Sequence, residues 1–170
     1  MRKIDEKLIQ LEETLVSEFR LLQSLLEVTQ KESSALLKGS HSILMPIVED
    51  KEAILDQLGN LEETRDKISQ SLAADFGVST QPATIQSLLP HVDSERAQRM
   101  RRLCDGILAL SEQQRGLNLN VSTMAQSWIE MIHSTQAYLL SFYQPPATYQ
   151  PPGVKAAYNL APVWATEHRA

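Results

Sequence analysis

Residues 94–143 read SERAQRMRRLCDGILALSEQQRGLNLNVSTMAQSWIEMIHSTQAYLLSFY, a run without a proline. An apolar or small side chain returns every three or four positions, at Met100, Leu103, Ile107 and Leu110, then past a polar gap at Gln114 to Leu117, Val121, Met124, Trp128, Met131, Thr135, Tyr138 and Phe142. That spacing keeps one face of a helix turned towards a partner. At 1.5 Å per residue the helix is roughly 75 Å long, more than a compact core can cover. Something equally long must therefore lie beside it. Gly106 and Gly116 fall inside the run and each costs about 1 kcal/mol relative to alanine. Two readings follow, one unbroken helix or a break near Gly116 that makes four long helices.

The preceding chain supplies the partners. From Lys3 to Lys38 the seam is Leu8, Leu11, Leu15, Phe19, Leu22, Leu25 or Leu26, Thr29 and Leu36, with most charged residues off it. Gly39 stops this helix, and Lys38 suits its negative end. A second helix follows with Ser42 as its N-cap and Pro46 in the first turn, and its stripe is Ile43, Ile47, Asp50 or Lys51, Ile54, Leu58, Leu61, Arg65, Ile68 and Leu72. Gly77 ends it. A turn of two or three residues between such helices forces them antiparallel and adjacent. Residues 77–93, with Gly77, Pro82 and Pro90, hold one short helix at Ile85–Leu89, entered through Thr80 and capping the end of the bundle. Asp93 or Ser94 then caps the long third helix, with Glu95 in its first turn. The cluster Arg96, Arg99, Arg101 and Arg102 reads as a solvated or ion-paired face, with the acidic first hairpin offering partners.

Composition agrees with a long antiparallel helical bundle or coiled coil, all-α, over residues 1–143. Aromatic residues make up 5% of the 170 and there are only 6 glycines, too few for a β-rich fold. The net charge of −5 gives no reason to expect nucleic acid or an anionic membrane. The single Cys104 excludes an internal disulfide and fits a reducing cytoplasm. No signal-like opening and no apolar run of about 20 residues is present, so the chain reads as soluble, cytosolic and not inserted in a membrane.

After Tyr143 the sequence turns to Gln144-Pro-Pro-Ala-Thr-Tyr-Gln-Pro-Pro-Gly153, whose four prolines exclude a helix. Residues 144–170 read as a Pro-rich, flexible tail with scattered apolar groups. Tyr149 is poorly explained by folding and suits recognition, since an aromatic ring with a hydroxyl can fill a pocket and make one hydrogen bond. Tyr158 and Trp164 are weaker candidates for that role.

No catalytic, cofactor or metal site is legible. His41, His91, His133 and His168 have no second ligand at metal spacing, and no phosphate loop or nucleophile elbow occurs. His133 is the one candidate for a phosphotransfer histidine. It lies about 140° round the helix from Trp128 and lacks the Lys and Gly that usually follow such a residue. An ordinary surface histidine is the better reading.

Three segments in order resemble the FlgN family of flagellar export chaperones. They are the opening helix ending Ala35-Leu36-Leu37-Lys38-Gly39 with Lys51-Glu52 and Leu61-Glu62-Glu63-Thr64-Arg65 after it, then Gly116-Leu117-Asn118-Leu119-Asn120, then Ala147-Thr148-Tyr149-Gln150-Pro151-Pro152-Gly153. The proline pairs around Tyr149 are denser than the family pattern, and the final residues match none. The resemblance implies a cytosolic, non-enzymatic chaperone without cofactor that holds the hook-filament junction proteins FlgK and FlgL by their C-terminal regions. It further implies delivery to the cytoplasmic domain of the export gate protein FlhA, with Tyr149 at the docking position. The cargo surface expected on the last helix is Met124, Trp128, Ile132, Leu139 and Phe142, because the apolar residues there are too many to face the hairpin. The same residues also fit plain core plus a dimer contact. Trp128→Ala or Leu139→Asp is expected to weaken cargo binding and leave helicity largely intact. The rival reading from another class is a coiled-coil tether or adaptor with no secretion substrate.

Overall fold

The computed structural model describes residues 2–78 and 83–143, the side chains of Arg2, His41 and Tyr143 aside. Four α-helices follow one another: α1 (Arg2–Leu37), α2 (Leu44–Phe76), the single turn α3 (Ile85–Leu88) and α4 (Ser94–Tyr143). No strand occurs among the described residues. Contacts divide the chain into two units, Met1–Glu130 and Met131–Ala170. The described part of the second is the α4 segment 131–143.

Both hairpin helices end in a Schellman motif. Gly39 takes φ +63°, its N–H donates to Leu36 O at 3.0 Å and the Ser40 N–H reaches back to Ala35 O at 3.0 Å. Gly77 repeats this at φ +70°, with Val78 N–H donating to Ala73 O at 2.9 Å. A left-handed residue is needed at each place, and glycine adopts it without a Cβ penalty.

The helix starts depart from expectation at two points. Ser42 does not cap α2: a 3₁₀ turn over His41–Ile43 runs directly into the helix, the N-cap position is Ile43, and no side chain caps it. The Ile43 N–H is taken instead by Ser40 O at 3.4 Å. The cap of α3 is Thr84 rather than Thr80, which lies outside the described residues. Thr84 is extended, and its Oγ1 accepts from the Ser87 N–H at 3.3 Å. Only a residue immediately before the first helical position can offer its oxygen to the N2 and N3 donors. Of the two candidates for α4, Asp93 is the cap, its Oδ1 accepting from the Arg96 N–H at 2.9 Å.

Cross-helix pairs set the packing of the first unit. As the α1 partner advances from Lys7 to Glu18 to Glu32, its α2 partner falls from Asp75 to Arg65 to Lys51, so these helices are antiparallel. Against α4 the partners rise together: Glu12 with Arg99, Phe19 with Gly106, Thr29 with Gln114. Helix α4 therefore runs parallel to α1, and the order is up, down, up. The buried core is Leu8, Leu11 and Leu15 of α1, Leu72 and Ala73 of α2, Leu88 and Leu89 at α3, and Met100 of α4. As expected, the short helix closes that end of the bundle. Helix α4 is continuous through both glycines, which settles the question left open at Gly116.

Candidate partner-binding surface

Along α4 the apolar stripe turns inward for the whole of the first unit. Met100 and Val121 are buried, and Leu103, Ile107, Leu110, Leu117, Met124 and Trp128 are partly buried. The polar gap at Gln114 is a buried side chain. Its Nε2 donates to Thr29 Oγ1 at 2.7 Å and more weakly to Asn118 Oδ1 at 3.3 Å. Lys51 Nζ joins this chain, donating to Asn118 Oδ1 at 2.9 Å and to Glu32 Oε2 at 2.6 Å. A polar layer thus links all three long helices. Gln114 Oε1 is left buried with no partner among the described residues.

A second buried polar group lies nearer the core. Glu18, almost fully buried, accepts from Arg65 Nη1 at 2.9 Å through Oε2, while Oε1 is buried and unpaired among the described residues. Burial pushes its carboxyl above the ordinary range, and the Arg65 guanidinium opposes that shift. Burial likewise raises the thiol of the half-buried Cys104. Of the basic cluster, Arg99 pairs with Glu12 at 2.8 Å and with Glu95 at 2.9 Å, and Arg96 lies 3.7 Å from Glu12. Arg101 and Arg102 are exposed. Glu12 of the acidic first helix thus faces both Arg96 and Arg99, as the sequence suggests, while Glu95 is a partner from α4 itself.

The five residues proposed for a cargo surface fall into two groups. Met124 and Trp128, in the first unit, are half-buried. The Trp128 ring lies over the hairpin turn: a Cβ on Gly39 would stand 3.3 Å from its Cη2. In the second unit Ile132 and Leu139 are each 54% exposed and Phe142 is 66% exposed. Met131, Tyr138 and Leu140 are exposed beside them, and the rings of Tyr138 and Phe142 meet edge to face at 4.8 Å. No Asp, Glu, Lys or Arg occurs from Met131 to Val154. A helix segment with this much exposed apolar surface and no charge is a place where a partner is expected. Tyr149, with residues 144–170, lies outside the described residues.

One apolar cluster escaped the sequence reading. Leu37, Ile43 and Met45 stand exposed about the hairpin turn, and Ile43 is off the α2 stripe assigned to it because it belongs to the 3₁₀ turn. The available signal was the run Gly39–Val48, which has no Asp, Glu, Lys or Arg.

Among the described residues no group of three or more His, Cys, Asp or Glu side chains could hold a metal ion, and no helix is long and apolar enough to cross a membrane. His91 stacks on Phe76 with ring centroids 5.4 Å apart, and His133 is exposed. A family model described as FlgN protein matches residues 1–157. No curated protein and no solved structure matches the chain.

Proposed function

The chain belongs to the FlgN family of flagellar export chaperones, and we propose that it binds the C-terminal regions of the junction proteins FlgK and FlgL in the cytoplasm and delivers them to the cytoplasmic domain of FlhA. The observation that carries this reading is the uncharged, exposed apolar segment of α4 bearing Ile132, Leu139 and Phe142. An amphipathic cargo helix laid on such a surface buries its own apolar face without leaving a charge unpaired. Met124 and Trp128, the other two residues of the expected set, lie in the first unit and are half-buried there. Tyr149 is the assigned gate contact. It falls within the stretch matched by the family model, in a proline-flanked segment that loses little entropy on docking.

Co-purification tests the reading. The chain should form soluble complexes with FlgK and FlgL, and each complex should be lost when the cargo's C-terminal helix is removed. A stable dimer that takes up neither protein would point to a coiled-coil tether instead.

A further inference from the structure

The outer face of α4 carries a short pattern that is complementary to itself. Leu108, Glu112, Arg115 and Leu119 follow one another at intervals of four, three and four residues, the spacing of a coiled-coil seam. They lie roughly 150° round the helix from the stripe that packs inward. All four are exposed, Leu108 by 60% and Leu119 by 69%. Among the described residues the side chains of Glu112 and Arg115 make no ion pair or hydrogen bond.

The order of the charges selects the occupant. A second copy of the helix laid antiparallel, with a two-fold axis between residues 113 and 114, sets Leu108 of one chain against Leu119 of the other and Glu112 against Arg115. Each contact occurs twice, as an isologous interface requires. The next layers set Asp105 against Ser122 and Arg101 against Gln126, so no like charges meet. Other alignments fail. Parallel pairing puts Glu112 on Glu112 and Arg115 on Arg115, and sliding the antiparallel pair by one heptad puts Leu108 opposite either Glu112 or Gln126. An apolar face laid on this seam would strip water from Glu112 and Arg115 and return no counter-charge to either. The chain itself carries the order that supplies both. Beside the seam a hollow opens where Gly116 has no side chain, lined by Glu112, Arg115, Gly116, Asn118 and Leu119. A Cβ on Gly116 would meet nothing within 4 Å, so a facing helix has room to approach.

We propose that the outer face of α4 is the contact between two copies of this chain, paired antiparallel through Leu108, Glu112, Arg115 and Leu119. The inference goes beyond the chaperone reading and does not depend on it. One helical seam buries less than a standard interface, so the dimer should dissociate in the micromolar range.

Sedimentation velocity on the full chain over about 1–200 μM tests it. Glu112→Arg sets arginine against arginine across the axis, and Arg115→Glu sets glutamate against glutamate. Each variant alone should associate about tenfold or more weakly than the wild type. An equimolar mixture of the two regains opposite charges at both central contacts and should associate within about threefold of the wild type. Asp56→Arg, the same change of charge at an exposed position of α2, is the control and should stay within about twofold. A wild type that remains monomeric throughout overturns the proposal, as do single variants that associate as well as the wild type or a mixture that fails to recover. A control that loses as much would mean that net charge governs association, which overturns it too. Circular dichroism and a thermal melt check folding. If either charge variant melts early, the register is read by oxidising an equimolar mixture of Leu108→Cys and Leu119→Cys chains, both carrying Cys104→Ser. The mixed disulfide should form faster than either like pair, and like pairs that form as fast overturn the proposal.

Discussion

The ring of Phe19 lies across Gly106, with Cε2 only 2.8 Å from where a Cβ on that glycine would stand. Helix propensity alone favours Gly106→Ala by about 1 kcal/mol, but the added methyl forces a half-buried ring to move. Gly106→Ala should therefore destabilise by about 1–2 kcal/mol net. Gly116→Ala, which meets nothing within 4 Å, should stabilise by about 1 kcal/mol. Urea unfolding of the two variants gives opposite signs if Phe19 is the cause.

Glu18 should make stability depend on pH in a direction unusual for an ion-paired carboxylate. Its folded pKa lies above the ordinary value of 4.5, so the folded state binds the proton more tightly. Stability gained from this group grows as pH falls through the raised value and is complete below 4.5. Relative to Glu18→Gln, the wild type should gain stability as pH falls towards 4.5 in urea titrations. A difference that instead moves against the wild type as pH falls would mean that Arg65, rather than burial, governs the carboxyl.

The proposed cargo surface predicts a separation of effects. Leu139→Asp or Phe142→Asp, at exposed positions, should leave the unfolding free energy within about 0.5 kcal/mol of wild type and abolish cargo binding. Trp128→Ala should do something else. Its ring packs on the hairpin turn, so its removal costs about 1–3 kcal/mol of stability whatever happens to cargo. Paired melts and pull-downs distinguish the two, and an early melt in Leu139→Asp would place that leucine in a core.

Tyr149→Ala should abolish binding to the cytoplasmic domain of FlhA and spare FlgK and FlgL. Binding assays on both partners check it. Unchanged gate affinity removes Tyr149 from the site, and loss of both partners together would mean that the tail packs on the bundle.

The helices were legible because their signals are local. Gly39 and Gly77 announce left-handed ends, and a proline-free stripe from Ser94 to Tyr143 announces one helix. What pairs across helices was not legible. Gln114 interrupts an apolar stripe in the sequence, and only the placement of Thr29 opposite it gives the interruption a role. Gly106 looked like a weak point for the same reason, since Phe19 is distant in sequence. The cap of α3 was misplaced at Thr80 because two threonines precede the short helix and only adjacency selects Thr84. The exposed turn was overlooked because a stripe assigned by spacing claimed Ile43 for the core.

Leucine seams that recur every three or four residues have an ambiguity: slippage of α4 along α1 by one turn, about 5.4 Å, brings apolar side chains opposite apolar side chains again. The layer from Glu32 through Lys51, Asn118 and Gln114 to Thr29 removes that degeneracy. Sliding one turn would set Gln114 against the buried Leu25 and strand its amide, at a cost of about 1–3 kcal/mol for each unmet donor. Only one alignment satisfies the chain of donors. A protein with so few aromatic anchors thus carries its own index mark, and the face that α4 turns to α1 is fixed by hydrogen bonds as well as by leucines.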